Sequence, residues 1–342
     1  MTQYEGSKEI SLDDLLPDLR FNLAEAGFKS LNDLVIRGPA AISQATGMNI
    51  SVCEEICRRS RAIIREQELT SSVKNRFLTA AEIHCHRSRD ENSKGISTGS
   101  KNVDDLFGGN GIEFGVVTQV YGESGTGKTQ LCHTLCGTLP SHYVAIFIDT
   151  EDTFQTERIK SIAKSRSLNY VQILENIKVR QPINSNEQEQ AIIEACSAIS
   201  MNSSIKLLIV DSMTSLYRAD YPGREYLSQR QQRMAEYAYK LRKTARQNNI
   251  AVIITNQVRT NPDRYDGQKI APIGGNSLAH TSKHRVQLRR IPWGTFVAKL
   301  DHSYSYPQNE AYFTIDERGI TDVEDYSEYK DENEILSQED MA

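Results

Sequence analysis

Residues 116–129 read VVTQVYGESGTGKT, an apolar run broken by three glycines and closed by a lysine and a threonine. Gly122, Gly125 and Gly127, with Glu123, Ser124 and Thr126 among them, suit a loop whose backbone N–H groups converge on an anion, because the glycines keep side chains out of the way. Lys128 and Thr129 then open a helical run through Gln130 to Gly137. In this G-x-x-x-x-G-K-T spacing the loop and the helix N-terminus wrap phosphates, the lysine reaches the outer phosphates and the threonine hydroxyl ligates Mg²⁺. An ordinary glycine turn is the simpler alternative, but the strand before and the helix after supply the context a phosphate loop needs. The chain is therefore expected to bind a nucleoside triphosphate.

Such a site also needs a carboxylate near the metal and a group that orients water. The run LLIVD, residues 207–211, delivers Asp211 at the end of four apolar residues. The run IFIDTED, residues 146–152, ends in acids, with Glu151 just beyond Asp149. Solvated loop charges are the alternative for Asp149, Glu151 and Asp152. A third run, IAVIITNQ, ends in Gln257, whose amide could sense the outer phosphate. Two polar segments follow these strand ends. One carries Arg218, Arg224, Arg230 and Arg233, and the other, from Arg259 to Ser277, is too long for a mere connector. Arginine-bearing loops beside a nucleotide site could track a phosphate backbone, and a solvated surface is the alternative.

The elements that would position these residues alternate. Strands are expected at 116–121, 143–149, 205–211 and 250–256, with helical runs at 186–201 and 226–248, the signature of an α/β fold with a mostly parallel sheet. Runs at 284–290, 295–300 and 311–315 suggest a strand meander around Pro292–Gly294. Residues 9–68 read as a helical module in which Ser51 and Glu54 form a capping box. Residues 69–94 are a linker, 95–321 the core and 322–342 an acidic, disordered tail.

Composition narrows the class. The chain is 38% hydrophobic and 25% charged, ordinary for a globular protein. Its apolar stretches are too short to span a bilayer and its N-terminus lacks a signal peptide's pattern, so an intracellular protein is expected. Cys53/Cys57 and Cys132/Cys136 share helix faces, which favours reduced packing cysteines over disulfides. The trio His84, Cys85 and His86 has no second cluster to complete a zinc site. From Asp322 onward nine carboxylates face one cation, Lys330, whereas the whole chain carries a net charge of -5. The body is therefore mildly basic, compatible with a polyanionic partner.

The strings GESGTGKTQLCH (122–133), IDTEDTFQTER (148–158), LIVDSMTSLYRADYPGR (208–224), TNQV (255–258) and PIGGNSLAH (272–280) occur in family order. Together they resemble the archaeal RadA-type recombinases and their eukaryotic relatives, a branch of the RecA superfamily, over roughly residues 12–325. The resemblance implies a RecA-like P-loop ATPase core preceded by a small all-helical, helix-hairpin-helix-like N-terminal domain. It also implies a filament or ring on single-stranded DNA that uses ATP and Mg²⁺, finds homologous duplex and exchanges strands.

Position by position, the resemblance implies that Lys128 and Thr129 hold phosphates and Mg²⁺, Glu151 positions the hydrolytic water and Arg158 lies against the adenine. Asp211 becomes the metal-side acid and Gln257 the phosphate sensor. Arg218, Arg224 and Arg230 fall in or beside a first DNA loop, and Arg259, Ile273, Gly274, Gly275 and Asn276 in a second. His280 would link that loop to ATP across a subunit boundary, and Pro307 ends a segment, 302–307, resembling the cap over the neighbour's ATP. The string FLTA, residues 77–80, matches a polymerisation segment in which Phe77 and Ala80 dock in the next subunit. The chain departs from the family's pattern in four places: the N-terminal module lacks the glycine hairpin, the link between Leu139 and Tyr143 is short, Asp152 and Gln155 replace a glycine and an arginine, and His302 stands where the family has aspartate. Implied partners are single- and double-stranded DNA, further copies of the chain and recombination mediators, with no membrane. The expected location is cytoplasmic and nucleoid-associated in a prokaryote, or nuclear in a eukaryote. Two other functions stay open, an ATP-binding accessory paralogue without strand exchange and a ring helicase. The FLTA segment, Glu151 and both loops favour the exchange enzyme.

Overall fold

The computed structural model describes residues 17–28, 31–75, 79–81, 95–260 and 270–323. The chain forms two compact units that divide between residues 90 and 91. The smaller contains helices Pro17–Glu25, Leu31–Thr46 and Ile50–Asn75. Leu23, Phe28, Leu31, Leu34, Ile42, Cys53, Ile56 and Cys57 form its core, so the two cysteines four residues apart do share a buried helix face. Gly38, at φ 76, interrupts the second helix just before Pro39. The third helix is capped by Asn49 rather than by Ser51, because the chain turns helical earlier than the capping-box spacing suggests and Asn49 Oδ1 accepts the Ser51 N–H at 3.0 Å. That helix continues to Asn75, across residue 68, where the sequence puts the start of the linker.

Among the described residues the larger unit carries thirteen strands, beginning with the short pair β1 (Gly95–Ile96) and β2 (Ile112–Glu113). Then follow β3 (Val116–Gly122), β4 (Val144–Asp149), β5 (Ile177–Arg180), β6 (Ile205–Asp211) and β7 (Ala251–Asn256). The chain continues with β8 (Val258–Thr260), β9 (Ile270–Pro272), β10 (His284–Arg290), β11 (Thr295–Ser303), β12 (Glu310–Asp316) and β13 (Gly319–Asp322). Nine strands make one sheet in the order β13-β12-β11-β10-β3-β7-β6-β4-β5. From β10 to β5 all neighbours are parallel, and β10 to β13 form the antiparallel meander.

The apolar runs are continuous because both faces of the sheet are covered. On β6, Leu207 and Ile209 enter one core and Leu208 and Val210 the other; on β7, Ala251 and Ile253 alternate with Val252 and Ile254 in the same way. Helices Lys128–Gly137 and Thr156–Ser165 cover the first face, and Ser185–Met201 and Leu227–Asn248 the second. Cys132 and Cys136 are buried free thiols of the first core. Residues 84–86 lie outside the described part, and among the described residues no cluster of metal-ligating side chains occurs. No helix among the described residues is long and apolar enough to cross a membrane. Asp322, counted by sequence with the acidic tail, sits in β13 and accepts from Ser100 Oγ at 2.5 Å and from the Asn102 N–H at 2.9 Å.

Parallel pairing decides where the chemistry gathers. Asp149 registers with Asp211, Tyr121 with Asn256, and Gly122 with Leu288. The loops that leave β3, β4, β6 and β7 therefore emerge together at the carboxyl edge of the sheet.

Candidate active site

β3 ends at Gly122, and the chain turns back through left-handed backbone at Gly125 (φ 75) and Gly127 (φ 91), which side chains disfavour. A Cβ at Gly125 would meet nothing within 4 Å, so the loop faces open space there, whereas at Gly127 it would lie 2.9 Å from Ile315. Gly127 is the N-cap of the helix Lys128–Gly137, whose first N–H groups have no partner within the helix and open onto the loop. Glu123 and Ser124 are exposed, while buried Thr126 donates to Glu123 O at 2.9 Å and shapes the turn. Lys128 Nζ donates to Gly122 O at 3.0 Å and to Glu123 O at 2.6 Å. Burial pushes its pKa down, opposed by the charges of Asp211 and Glu151.

Asp211 ends β6 only 3% exposed. One carboxylate oxygen accepts from Thr129 Oγ1 at 2.7 Å and the other from Thr255 Oγ1. Burial raises the Asp211 pKa above the usual carboxylate range, against the bonds from Thr255 and Thr129. A buried carboxylate facing a hydroxyl at the foot of an anion loop is an all-oxygen donor set, so these residues fit Mg²⁺.

Asp149 ends β4 and is also buried; its carboxylate accepts the N–H groups of Glu151 (3.3 Å), Thr153 (3.1 Å) and Phe154 (3.0 Å). It is no solvated loop charge: it folds the turn that presents Glu151. Thr150 locks that turn to the end of β6, its N–H donating to Asp211 O at 2.8 Å and its hydroxyl accepting the Ser212 N–H at 2.8 Å. Exposed Glu151 accepts at Oε1 from Ser212 Oγ (2.7 Å) and from Gln257 Nε2 (3.3 Å). Gln257 Oε1 in turn accepts from Arg218 Nη1 at 3.1 Å. On the other side of the loop, Arg158 donates to Gln130 Oε1 at 2.7 Å and to Asp316 O at 2.6 Å, forming a shelf between the phosphate-loop helix and the β12–β13 turn.

The two arginine segments flank this edge. Arg218 and Arg224 are exposed, and Arg230 donates to Tyr221 O at 3.3 Å. Arg233 turns inward: it pairs with Glu189 at 2.6 Å and lies over the Tyr221 ring, while the buried Tyr217 hydroxyl donates to the other Glu189 oxygen at 2.9 Å. The second segment starts as the hairpin β8–β9. Asn256 Nδ2 donates to Ile273 O at 2.6 Å and the Ile273 N–H to Gln257 O at 2.9 Å, after which Gly274 (φ 114) and Gly275 (φ 65) turn the chain into the helix Gly275–Thr281. Arg259 lies in β8 and Asn276 in that helix, and residues 261–269 lie outside the described part.

Residues 89–323 match the Rad51 family. The chain belongs to that family. Proteins named DNA repair and recombination protein RadA are similar to it along almost the whole chain. The one from Cenarchaeum symbiosum is 36% identical over 322 residues, covering 92% of this chain and 79% of the relative. The one from Metallosphaera sedula is 36% identical over 310 residues, covering 89% and 92%. That from Ignicoccus hospitalis is 36% identical over 321 residues, covering 90% and 94%.

In this Rad51-family chain the carboxyl edge gathers Gly122 to Gln130, Glu151, Arg158, Asp211 and Gln257. Other expected site residues lie elsewhere. His280 is exposed, with no hydrogen bond to the phosphate loop among the described residues, and Pro307 is exposed at the opposite edge of the sheet. Ala80 is exposed, and Phe77 lies outside the described residues. Sequence reasoning missed Ser212, Thr150, Thr255 and Glu189. A hydroxyl directly after a strand-end acid was a signal for Ser212; Glu189, on a helix remote in sequence from the arginines, offered none.

Proposed function

We propose that this chain is an ATP-dependent recombinase that assembles on single-stranded DNA and exchanges strands with homologous duplex. The observation that carries the reading is the hydrogen-bonded line from Ser212 through Glu151 and Gln257 to Arg218, which ties a candidate hydrolytic carboxylate to a candidate DNA-binding arginine. The names of its relatives, DNA repair and recombination proteins, support the same reading.

In this reading the N–H groups of residues 122–129 and the Lys128 ammonium bind the phosphates of ATP. Thr129 and Asp211 hold Mg²⁺, which neutralises charge building on the transferred phosphoryl group. Glu151, steadied by Ser212, orients the attacking water. Gln257 is tied by its side chain to Glu151 and by its backbone to Ile273, so a shift at the outer phosphate reaches both arginine segments. Residues 77–80 link each subunit to the next.

The test is strand exchange between single-stranded circles and homologous linear duplex, with ATP and Mg²⁺. Joint molecules and displaced strand are expected, and Phe77→Glu should abolish both together with the light scattering of assembled protein. ATP binding without any exchange would make the chain an accessory paralogue.

A further inference from the structure

Glu151 lies on a turn, residues 149–154, that is held from both neighbours of β4. On the β6 side the hold is the Thr150 bonds to Asp211 O and to the Ser212 N–H, reinforced by the Ser215 hydroxyl 2.6 Å from Thr150 Oγ1. On the β5 side it is one side chain, Gln181. Ile148 registers with Arg180, so the next residues along the two parallel strands, Asp149 and Gln181, lie side by side at the carboxyl edge. Gln181 Nε2 donates to Asp149 Oδ2 at 3.2 Å and to Asp152 Oδ1 at 2.9 Å. An amide nitrogen carries two hydrogens, so one is available for each carboxylate.

Asp152 needs that partner. Its backbone sits at φ 55, in the left-handed region where a Cβ crowds the carbonyl oxygen that follows. Among the described residues, Gln181 is the one hydrogen-bond partner of the Asp152 side chain. A strained residue persists where its surroundings over-determine it, and such residues gather at functional sites. Here the strained residue directly follows Glu151, whose carboxylate is aimed by Ser212 and Gln257. If Asp152 swung to an ordinary right-handed or extended conformation, the peptide it shares with Glu151 would rotate and carry the Glu151 side chain off Ser212.

Gln181 is itself held. Pro182 follows it, buried, and a residue before proline is driven to extended backbone. β5 ends at Arg180 on one side, and on the other Asn184 Oδ1 accepts the Glu187 N–H at 2.9 Å to cap the helix Ser185–Met201. The amide therefore projects from a fixed stem.

We infer that Gln181 is a positioning residue for ATP hydrolysis, one that holds Asp152 in left-handed backbone and so keeps Glu151 in its setting between Ser212 and Gln257. The inference rests on the role proposed above for Glu151. The side-chain bonds of Gln181 go to Asp149 and Asp152 and not to the phosphate loop, so it acts on turnover and leaves ATP affinity as it is. Asp152 and Gln181 are 29 residues apart, with no motif to join them.

The test uses full-length protein on single-stranded DNA. Gln181 is exposed, so replacing it spares the core, and Gln181→Met keeps the length of the side chain but has no hydrogen to donate. Its kcat for ATP should fall about tenfold, below the roughly 10²-fold that a displacement of about 1 Å can cost, with KM unchanged. Asp152→Gly supplies the discriminating background, because glycine takes left-handed backbone without penalty and does not need the clamp. Relative to Asp152→Gly alone, adding Gln181→Met should lower kcat by no more than about twofold, since the two changes act on one linkage. A bond that served only stability would lower the unfolding midpoint of Gln181→Met and leave kcat alone. That result, a KM that rises in step with the loss, or the same tenfold loss with Asp152→Gly present overturns the inference. Full hydrolysis by Glu151→Gln overturns the role proposed for Glu151 and this inference with it.

Discussion

Gln257 bridges Glu151 and Arg218 with the two ends of a single amide, donating to the carboxylate at 3.3 Å and accepting from the guanidinium at 3.1 Å. Both partners must hold their positions for the amide to satisfy both bonds. Under the proposed function, DNA that pulled Arg218 toward a phosphate would therefore change the setting of Glu151. Gln257→Ala should leave ATP affinity within a few-fold of wild type while lowering the DNA-stimulated rate by about 100-fold, in the range of other single catalytic donors. Nucleotide titration beside ATPase assays with and without DNA measures this, and an undiminished stimulation would remove the bridge from the mechanism.

Binding and hydrolysis should separate at two neighbouring residues. Glu151→Gln keeps the size of the side chain and its contact to Ser212 but loses the charge that polarises water, so turnover should fall about 10²–10⁴-fold with ATP still bound. Lys128→Ala should instead lose nucleotide affinity. Filament lifetime on single-stranded DNA should lengthen in the first variant and collapse in the second. Wild-type hydrolysis by Glu151→Gln would show that another group orients the water.

The first arginine segment stands on a buried strut. Glu189 accepts from Arg233 and from the Tyr217 hydroxyl, and is itself only 7% exposed. Glu189→Ala leaves a buried hydroxyl without its acceptor and an arginine without its partner, at a cost of about 2 kcal/mol once the partial exposure of Arg233 is allowed for. Denaturant unfolding should show that loss, accompanied by weaker single-strand binding.

Stability should also depend on pH through His133. Burial, aided by the Arg158 charge and opposed by Asp149, holds the imidazole at about 4, against an ordinary value of 6.5. Between those values the unfolded chain binds a proton that the folded chain refuses, so stability is intact above pH 6.5 and falls as pH drops toward 4. The loss over the full window is roughly 3 kcal/mol. His133→Gln should flatten the slope of unfolding free energy against pH in this window and leave it unchanged above pH 7.

The sequence by itself determined the local chemistry. The phosphate loop was legible because its glycines, lysine and threonine are contiguous, and a loop between a strand and a helix needs few distant contacts to take shape. The central parallel strands β3, β4, β6 and β7 were legible because each is a largely apolar run, whereas the edge strand β5, reading IKVR and exposed along most of its length, was not. Asp211, Glu151 and Gln257 stood out as polar residues at or just after strand ends. Only the tertiary structure decided which of these touch. Parallel pairing of β4 with β6 places Asp149 beside Asp211, which makes one a scaffold for the Glu151 turn and leaves the other to face Thr129. The inward turn of Arg233 depends on Glu189 of a separate helix, and the hold on Asp152 on Gln181 at the end of another strand. Those bonds join residues with no common spacing or motif, so their partners are set by how the sheet brings its edges and covering helices together.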